Sequence, residues 1–150
     1  MILRSTTQFA TDTQPAQAHP QMNYVDIVAM LAIVQYLVFG TLVGKARGQY
    51  GVRAPAVSGN EQFERVYRVQ MNTLELLVAF LPALYAASRY WPGWVVACVG
   101  AVYLVGRVIY YRAYVTAPAS RGLGFVLSIG PVFTLVLAVL VPAVLGKTML

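Results

Sequence analysis

Four long, mostly apolar segments constrain the fold of this chain more than any other feature of its sequence. They cover residues 24–44, 66–90, 94–114 and 123–145. A helix needs about 20 apolar residues to cross the roughly 30 Å hydrocarbon core of a bilayer, and it satisfies its own backbone hydrogen bonds there. The sequence therefore predicts an all-α integral membrane protein, folded as a bundle of four transmembrane helices.

The composition supports a membrane protein and argues against several other classes. Hydrophobic residues make up 59% of the chain and charged residues only 11%, a balance that an ordinary soluble domain does not need. The net charge of +6 does not indicate a nucleic-acid partner, because the basic residues are interleaved with apolar helical sequence. The only histidine, His19, lies in a polar leader. We therefore expect no metal site and no Ser–His catalytic pair.

Two side chains inside the apolar segments have structural interpretations. Cys98, the only cysteine, cannot form an internal disulfide, and its apolar surroundings VVACVGAV predict a buried thiol. Gln35 is predicted to form a hydrogen bond with a neighbouring helix.

The chain ends and the basic residues predict the orientation in the membrane. Residues 1–21 lack the apolar core of a secretory signal, so we interpret them as a disordered extension of a domain spanning residues 22–150. Met22, directly before the first segment, is an alternative start. Four spans place both termini on one side, and most basic residues lie at the two loops on the other side. The positive-inside rule then predicts that loops 45–65 and 115–122 are cytoplasmic.

A polar stretch at residues 63–75, FERVYRVQMNTLE, overlaps the start of the second apolar segment. Side chains three, four and seven positions apart share one face of a helix. Two such polar faces lie near the same membrane surface: Arg68, Asn72 and Glu75, and Tyr103, Arg107, Tyr110 and Tyr114. A structural interpretation is that Arg107 neutralises Glu75 and the tyrosines fill space. The whole set exceeds what charge balance requires, and this excess favours a binding site.

The residue types fit a small zwitterion with excess negative charge. Arginine forks bind carboxylates, Glu75 can hold an ammonium group, and Asn72 can pair with a peptide group. Gln70 lies about 200° around the helix from Arg68, so the two cannot line one pocket of a single subunit. If both touch one ligand, the pocket lies between subunits of an oligomer.

These motifs carry a resemblance to a known family. The run FERVYRVQMNTLE, the later run VYLVGRVIYYRAY at residues 102–114, and Arg121 together resemble the MAPEG family of membrane-associated proteins in eicosanoid and glutathione metabolism. The resemblance covers residues 24–145 and implies a homotrimer of four-helix subunits that binds glutathione, as co-substrate, between neighbours. It is closest in character to the bacterial and general-detoxification branch, so a bacterial inner membrane is expected, or the endoplasmic reticulum if the chain is eukaryotic.

The resemblance also implies roles for individual residues. Arg121 matches an arginine that stabilises the glutathione thiolate, and Tyr110 is expected to assist as a hydrogen-bond donor. Gln70 and, by a weaker loop match, Arg47 take positions supplied by the adjacent subunit. The implied glutathione-binding set is Arg47, Arg68, Gln70, Asn72, Glu75, Arg107, Tyr110, Tyr114 and Arg121. Leu76 departs from members that have a tyrosine there, so a narrow lipid specificity is not carried over.

The predicted function is that of a membrane-bound glutathione transferase. It would conjugate glutathione to lipophilic electrophiles and would reduce lipid hydroperoxides as a further activity. The alternative is a non-catalytic membrane protein of the same fold that binds and presents lipid. A channel or transporter would need a polar stripe across the whole bilayer, whereas the polarity here stops halfway.

Overall fold

The computed structural model describes residues 23–146, so the extension predicted for residues 1–21 lies outside it, as does Lys147. Within this range the chain forms four long α-helices, each long and apolar enough to cross a membrane. Their bounds are Tyr24–Gln49 (α1), Glu61–Ala87 (α2), Gly93–Thr116 (α3) and Gly122–Val144 (α4), with a 3₁₀ turn at Pro118–Arg121 before α4. The predicted fold class, a four-helix membrane bundle, is confirmed.

Helices α1 and α2 each extend five residues beyond their predicted apolar segments at the end of the bundle that carries residues 50–60 and 117–121, here called the loop end. The first helix continues to Gln49, five residues past the predicted position 44. The second begins at Glu61 because the Asn60 side chain accepts hydrogen bonds from the backbone N–H groups of Gln62 and Phe63, at 3.0 and 3.1 Å. Polar helical turns of this kind reach beyond the apolar core, so hydropathy alone does not reveal them.

The opposite end of the bundle is joined by two polar contacts between helices. The Tyr85 hydroxyl donates to Asp26 Oδ1 at 2.9 Å and links α2 to α1. The Trp91 indole N–H donates to the Ala138 carbonyl at 2.9 Å and ties the α2–α3 turn to α4. Amphipathic aromatic rings of this kind suit a membrane interface.

The core between the helices is mostly apolar, with a few polar side chains. Gln35 Nε2 donates to the Leu104 carbonyl at 2.9 Å, which is the interhelical hydrogen bond predicted for it. The rings of Phe80 and Tyr103 stack with centroids 4.0 Å apart. The prediction for Cys98 is wrong, because its side chain is exposed on the outer surface of α3. An evenly apolar run has no period that separates a core-facing side from a lipid-facing side.

Helices α3 and α4 approach so closely that their backbones touch. A Cβ atom added to Gly106 would lie 2.5 Å from the carbonyl carbon of Leu127, and one added to Gly124 would lie 2.4 Å from the backbone nitrogen of Tyr110. Small residues allow this close packing, which drives helix association where no water is present. The contact fixes the position of the start of α4 against the last third of α3.

Candidate functional site

The polar face predicted on α2 is present at the loop-end half of that helix. Arg68 and Glu75 are exposed, and Asn72 between them is half-buried. Asn72 Nδ2 donates to Glu75 Oε2 at 3.3 Å, so the amide and the carboxylate lie side by side. The face therefore presents a cation, an amide and an anion in order along the helix.

Arg107 reaches this helix from α3, but it lies behind the polar face. Its side chain is only 1% exposed, and its Nη2 donates to Thr73 Oγ1 at 2.6 Å and to the Val69 carbonyl at 3.2 Å. Thr73 in turn donates to the Val69 carbonyl at 2.6 Å. The structure thus pairs Arg107 with a hydroxyl and a carbonyl, whereas the one ion pair within residues 23–146 joins Arg65 to Glu61.

Four of the predicted site residues form a continuous series that we call the arginine–tyrosine stack: Arg107, Tyr110, Tyr114 and Arg121. The Arg107 guanidinium carbon lies 4.4 Å from the centroid of the Tyr110 ring. The Tyr110 and Tyr114 ring centroids are 5.4 Å apart. The Arg121 guanidinium carbon lies 5.5 Å from the Tyr114 centroid. Both cations are within the distance at which a ring face attracts positive charge.

The stack runs from the interior of the bundle to its surface. Arg107 and Tyr110 are buried, Tyr114 is half-buried, and Arg121 is exposed. Arg121 Nη1 donates to the Pro118 carbonyl at 3.2 Å, within the 3₁₀ turn that precedes α4. Its other guanidinium nitrogens make no hydrogen bond within residues 23–146, so this cation is available to a ligand.

A cavity of about 420 Å³ opens between the α2 face and the outer end of the stack. Arg68 and Tyr114, one residue from each predicted polar face, line it. The other predicted residues of the two faces and of the stack do not line this cavity: Asn72, Glu75, Arg107, Tyr110 and Arg121. Its remaining lining residues belong to the loop end: Val57, Ser58, Glu61, Glu64, Arg65, Tyr67 and Pro118. The cavity is large enough for a peptide-sized ligand.

Arg47 is placed away from this cavity. Its Nη1 donates to the carbonyls of Val52 and Ala56, at 3.2 and 2.7 Å, and so holds the loop after α1. Its guanidinium carbon also lies 4.8 Å from the centroid of the Phe63 ring. In a single subunit Arg47 therefore stabilises its own loop.

Gln70 also points away from the cavity, on the side of α2 that faces α1. Its amide nitrogen lies 3.1 Å from the position that a Cβ atom on Gly40 would occupy. Arg68, by contrast, lines the cavity next to α3. The two side chains therefore leave α2 on different sides, as expected from their separation around the helix.

Sequence reasoning gave no role to two residues that build the site. Thr73 anchors Arg107, and a threonine in an apolar helix has no signature that separates it from a packing residue. Arg65 donates from Nη1 to the carbonyls of Val115 and Thr116, at 3.2 and 3.3 Å, and so caps the end of α3 beside the cavity. The signal for Arg65 was its place in the polar stretch, but its partners lie 50 residues later in the chain.

Residues 23–146 contain no group of three or more His, Cys, Asp or Glu side chains that could hold a metal ion. The site is instead built from guanidinium, phenol, amide and carboxylate groups. Such groups bind and orient an anionic or zwitterionic ligand through charge-assisted hydrogen bonds.

Comparison with known proteins identifies the family. The family model described as the MAPEG family matches residues 25–141. The chain belongs to the MAPEG family. The match includes most or all of each helix and every residue of the arginine–tyrosine stack.

Individual MAPEG relatives are similar over most of this region. A protein of Synechocystis sp., named only as uncharacterized, is 48% identical over 101 residues, which are 67% of this chain and 74% of the relative. Human microsomal glutathione S-transferase 2 is 41% identical over 103 residues, covering 69% of this chain and 70% of the relative. Bovine leukotriene C4 synthase is 32% identical over 94 residues, 63% of each chain.

Proposed function

We propose that this MAPEG protein is a membrane-bound glutathione transferase that conjugates glutathione to lipophilic electrophiles, with reduction of lipid hydroperoxides as a further activity. The observation that carries the proposal is the arginine–tyrosine stack, which leads from the bundle interior to the exposed guanidinium of Arg121 beside a peptide-sized cavity. The similarity to a microsomal glutathione S-transferase supports it.

The α2 face supplies the recognition of glutathione in this proposal. Glutathione carries two carboxylates and one ammonium group at neutral pH, so it needs both signs of charge in its site. Arg68 binds a carboxylate, since a guanidinium fork matches that geometry. Glu75 accepts from the ammonium group, and Asn72 pairs with a peptide group. The hydrogen bond between Asn72 and Glu75 holds both side chains in place before the ligand arrives.

The stack supplies the activation of the thiol. A free thiol has a pKa of about 8.5, so only a few per cent is thiolate at neutral pH. A guanidinium next to the sulfur favours the thiolate, and each unit by which it lowers the thiol pKa represents about 1.4 kcal/mol. Arg121 provides this charge, and Tyr110 and Tyr114 line the approach to it. Arg107 adds positive charge on the interior side of Tyr110, because its buried guanidinium lies against that ring.

The reaction then follows ordinary nucleophilic substitution. The glutathione thiol gives its proton to solvent, and the thiolate sulfur forms a bond to the electrophilic carbon. The leaving group departs with the electron pair of the broken bond. The electrophile arrives through the lipid, where apolar compounds concentrate. The exposed apolar faces of the helices give it a path to the site.

The proposed working unit is a homotrimer in which a neighbour completes each site. Gln70 and Arg47 are the proposed contributions from that neighbour, and neither lines the Arg68 cavity of its own subunit. We further propose that loops 45–65 and 115–122 face the cytoplasm, where glutathione is abundant. The membrane is then a bacterial inner membrane, or the endoplasmic reticulum in a eukaryote.

Replacement of Arg121 by alanine tests the proposal. We expect Arg121→Ala to lower the turnover of a chlorinated nitrobenzene by about 100-fold or more, as loss of one charge-stabilising donor does in other enzymes, while glutathione binding stays measurable. Arg112→Ala is the matched control, since Arg112 is an exposed arginine of α3 outside the stack. The readouts are steady-state conjugation and the ultraviolet absorbance of bound thiolate.

The outcomes separate the two functional interpretations. Unchanged turnover in Arg121→Ala would remove Arg121 from the mechanism. A parent protein that binds glutathione with neither a thiolate band nor turnover would favour the non-catalytic, lipid-presenting alternative.

A further inference from the structure

Gly124 is the point at which the start of α4 touches α3. A Cβ atom at this position would lie 2.4 Å from the backbone nitrogen of Tyr110, 2.5 Å from its Cα and 2.9 Å from its Cβ. Real Cβ atoms essentially never approach other atoms within 3.0 Å. The two nearest atoms belong to the backbone of a helix, and the third is a Cβ whose position that backbone fixes, so none of them can turn aside.

Residues on both sides of this contact belong to the proposed site. Arg121 lies three residues before Gly124, and its guanidinium carbon is 5.5 Å from the Tyr114 ring centroid. Tyr110, whose backbone Gly124 touches, carries the next phenol of the stack. The contact therefore joins the element that carries Arg121 directly to the residues that line its approach.

A second backbone contact holds α4 in the same place. One turn further along α4, a Cβ added to Gly106 would lie 2.5 Å from the carbonyl carbon of Leu127. Helix α4 is thus in backbone contact with α3 on successive turns, and its first turn cannot shift without losing this packing.

We propose that Gly124 is a positioning residue for Arg121: the missing side chain lets α4 approach α3 closely enough for the Arg121 guanidinium to reach the glutathione sulfur. This inference rests on the proposed function. An added methyl group at Gly124 must move the start of α4 outward by about 1 Å to restore ordinary contact distances, and displacements of that size at a reacting group can cost about 100-fold in rate.

The test compares Gly124→Ala with Gly122→Ala. A Cβ on Gly122 meets nothing within 4 Å, although Gly122 lies in the same first turn of α4. Both changes replace glycine by alanine in one helix, so they alter the intrinsic helix propensity alike. We expect Gly124→Ala to lower kcat about tenfold or more and to weaken the thiolate band at saturating glutathione, with little change in KM. We expect Gly122→Ala to match the parent.

A double variant separates positioning from general loss of structure. If Gly124 acts through Arg121, then adding Gly124→Ala to Arg121→Ala lowers turnover no further. Should Gly124→Ala fail to fold, Gly106→Ala decides instead, because a Cβ there meets the Leu127 backbone one turn further from Arg121 and should show the same loss in smaller degree. Circular dichroism and size-exclusion chromatography report folding and assembly for every variant.

The possible failures are distinct. A parent protein without a thiolate band or turnover overturns the proposed function. An active parent in which Gly124→Ala and Gly122→Ala have equal kcat overturns the positioning role alone. Additive loss in the double variant also overturns the positioning role. Where Gly106→Ala is the deciding variant, an unchanged kcat in that variant does the same.

Discussion

Replacement of Thr73 by valine should destabilise the bundle, because this side chain holds a buried arginine. Thr73 Oγ1 accepts from Arg107 Nη2 at 2.6 Å and donates to the Val69 carbonyl at 2.6 Å, and both side chains are 1% exposed. Valine has nearly the same shape and helix propensity, so the change removes the hydroxyl and little else. Arg107 Nη2 keeps only its 3.2 Å bond to the Val69 carbonyl.

The expected loss follows from the charge on Arg107. Hydrogen bonds to charged groups contribute about 1.5–3 kcal/mol, whereas interhelical hydrogen bonds in membrane proteins average about 0.6 kcal/mol. The larger range applies here, since removal of the hydroxyl leaves a buried cation underpaired. We therefore expect Thr73→Val to lower the free energy of unfolding by about 1.5–3 kcal/mol, which reduces the folded-to-unfolded ratio by about 10- to 150-fold.

Unfolding in mixed micelles of increasing sodium dodecyl sulfate content, followed by circular dichroism, measures this loss. Thr73→Ser retains the hydroxyl and should stay near the parent. Thr134→Val is the matched control, because the exposed Thr134 hydroxyl bonds only to the Gly130 carbonyl of its own helix, at 2.9 Å. If Thr73→Val unfolds at the same point as Thr134→Val, the Thr73 hydroxyl does not anchor Arg107.

Two further predictions concern the loop end. Gly40→Ala should raise the KM for glutathione several-fold, because the new Cβ would lie 3.1 Å from the Gln70 amide nitrogen. Gly44→Ala is the control and should leave KM unchanged, since a Cβ there meets nothing within 4 Å. Equal KM values for the two variants in steady-state assays would contradict a role for Gln70. Arg65→Met should speed amide hydrogen exchange in the last turn of α3 through loss of its two carbonyl contacts. Glu61→Gln is the control, because it removes only the exposed ion pair to Arg65. If Glu61→Gln speeds this exchange as much as Arg65→Met does, the carbonyl contacts of Arg65 do not protect the end of α3.

The fold could be predicted because the bilayer imposes its thickness on the sequence. Each helix contains a long apolar run, and no other regular structure with those runs satisfies its backbone in lipid. The helix ends were harder to predict. The signal for the start of α2 was the capping residue Asn60, not a change in hydropathy. The outward direction of Cys98 could not be predicted, because lipid and core are equally apolar.

The site could be predicted in its composition but not in its internal support. Helical spacing identifies Arg68, Asn72 and Glu75 as one face, and two of them are hydrogen-bonded to each other. The spacing does not show that Arg107 bonds to Thr73, since that contact joins residues 34 positions apart on different helices. Arg107 therefore lies deeper than the ligand-facing position that its polar character suggested.

The close contact between α3 and α4 has a consequence for motion. Where the two helices touch through their backbones, at Gly106 and Gly124, no layer of side chains can rearrange between them. Packed interfaces shift between discrete arrangements and do not deform smoothly. We therefore expect α3 and α4 to move as one rigid body during ligand entry. Opening of the bundle then falls to α1, which carries Arg47, and to residues 50–60 after it.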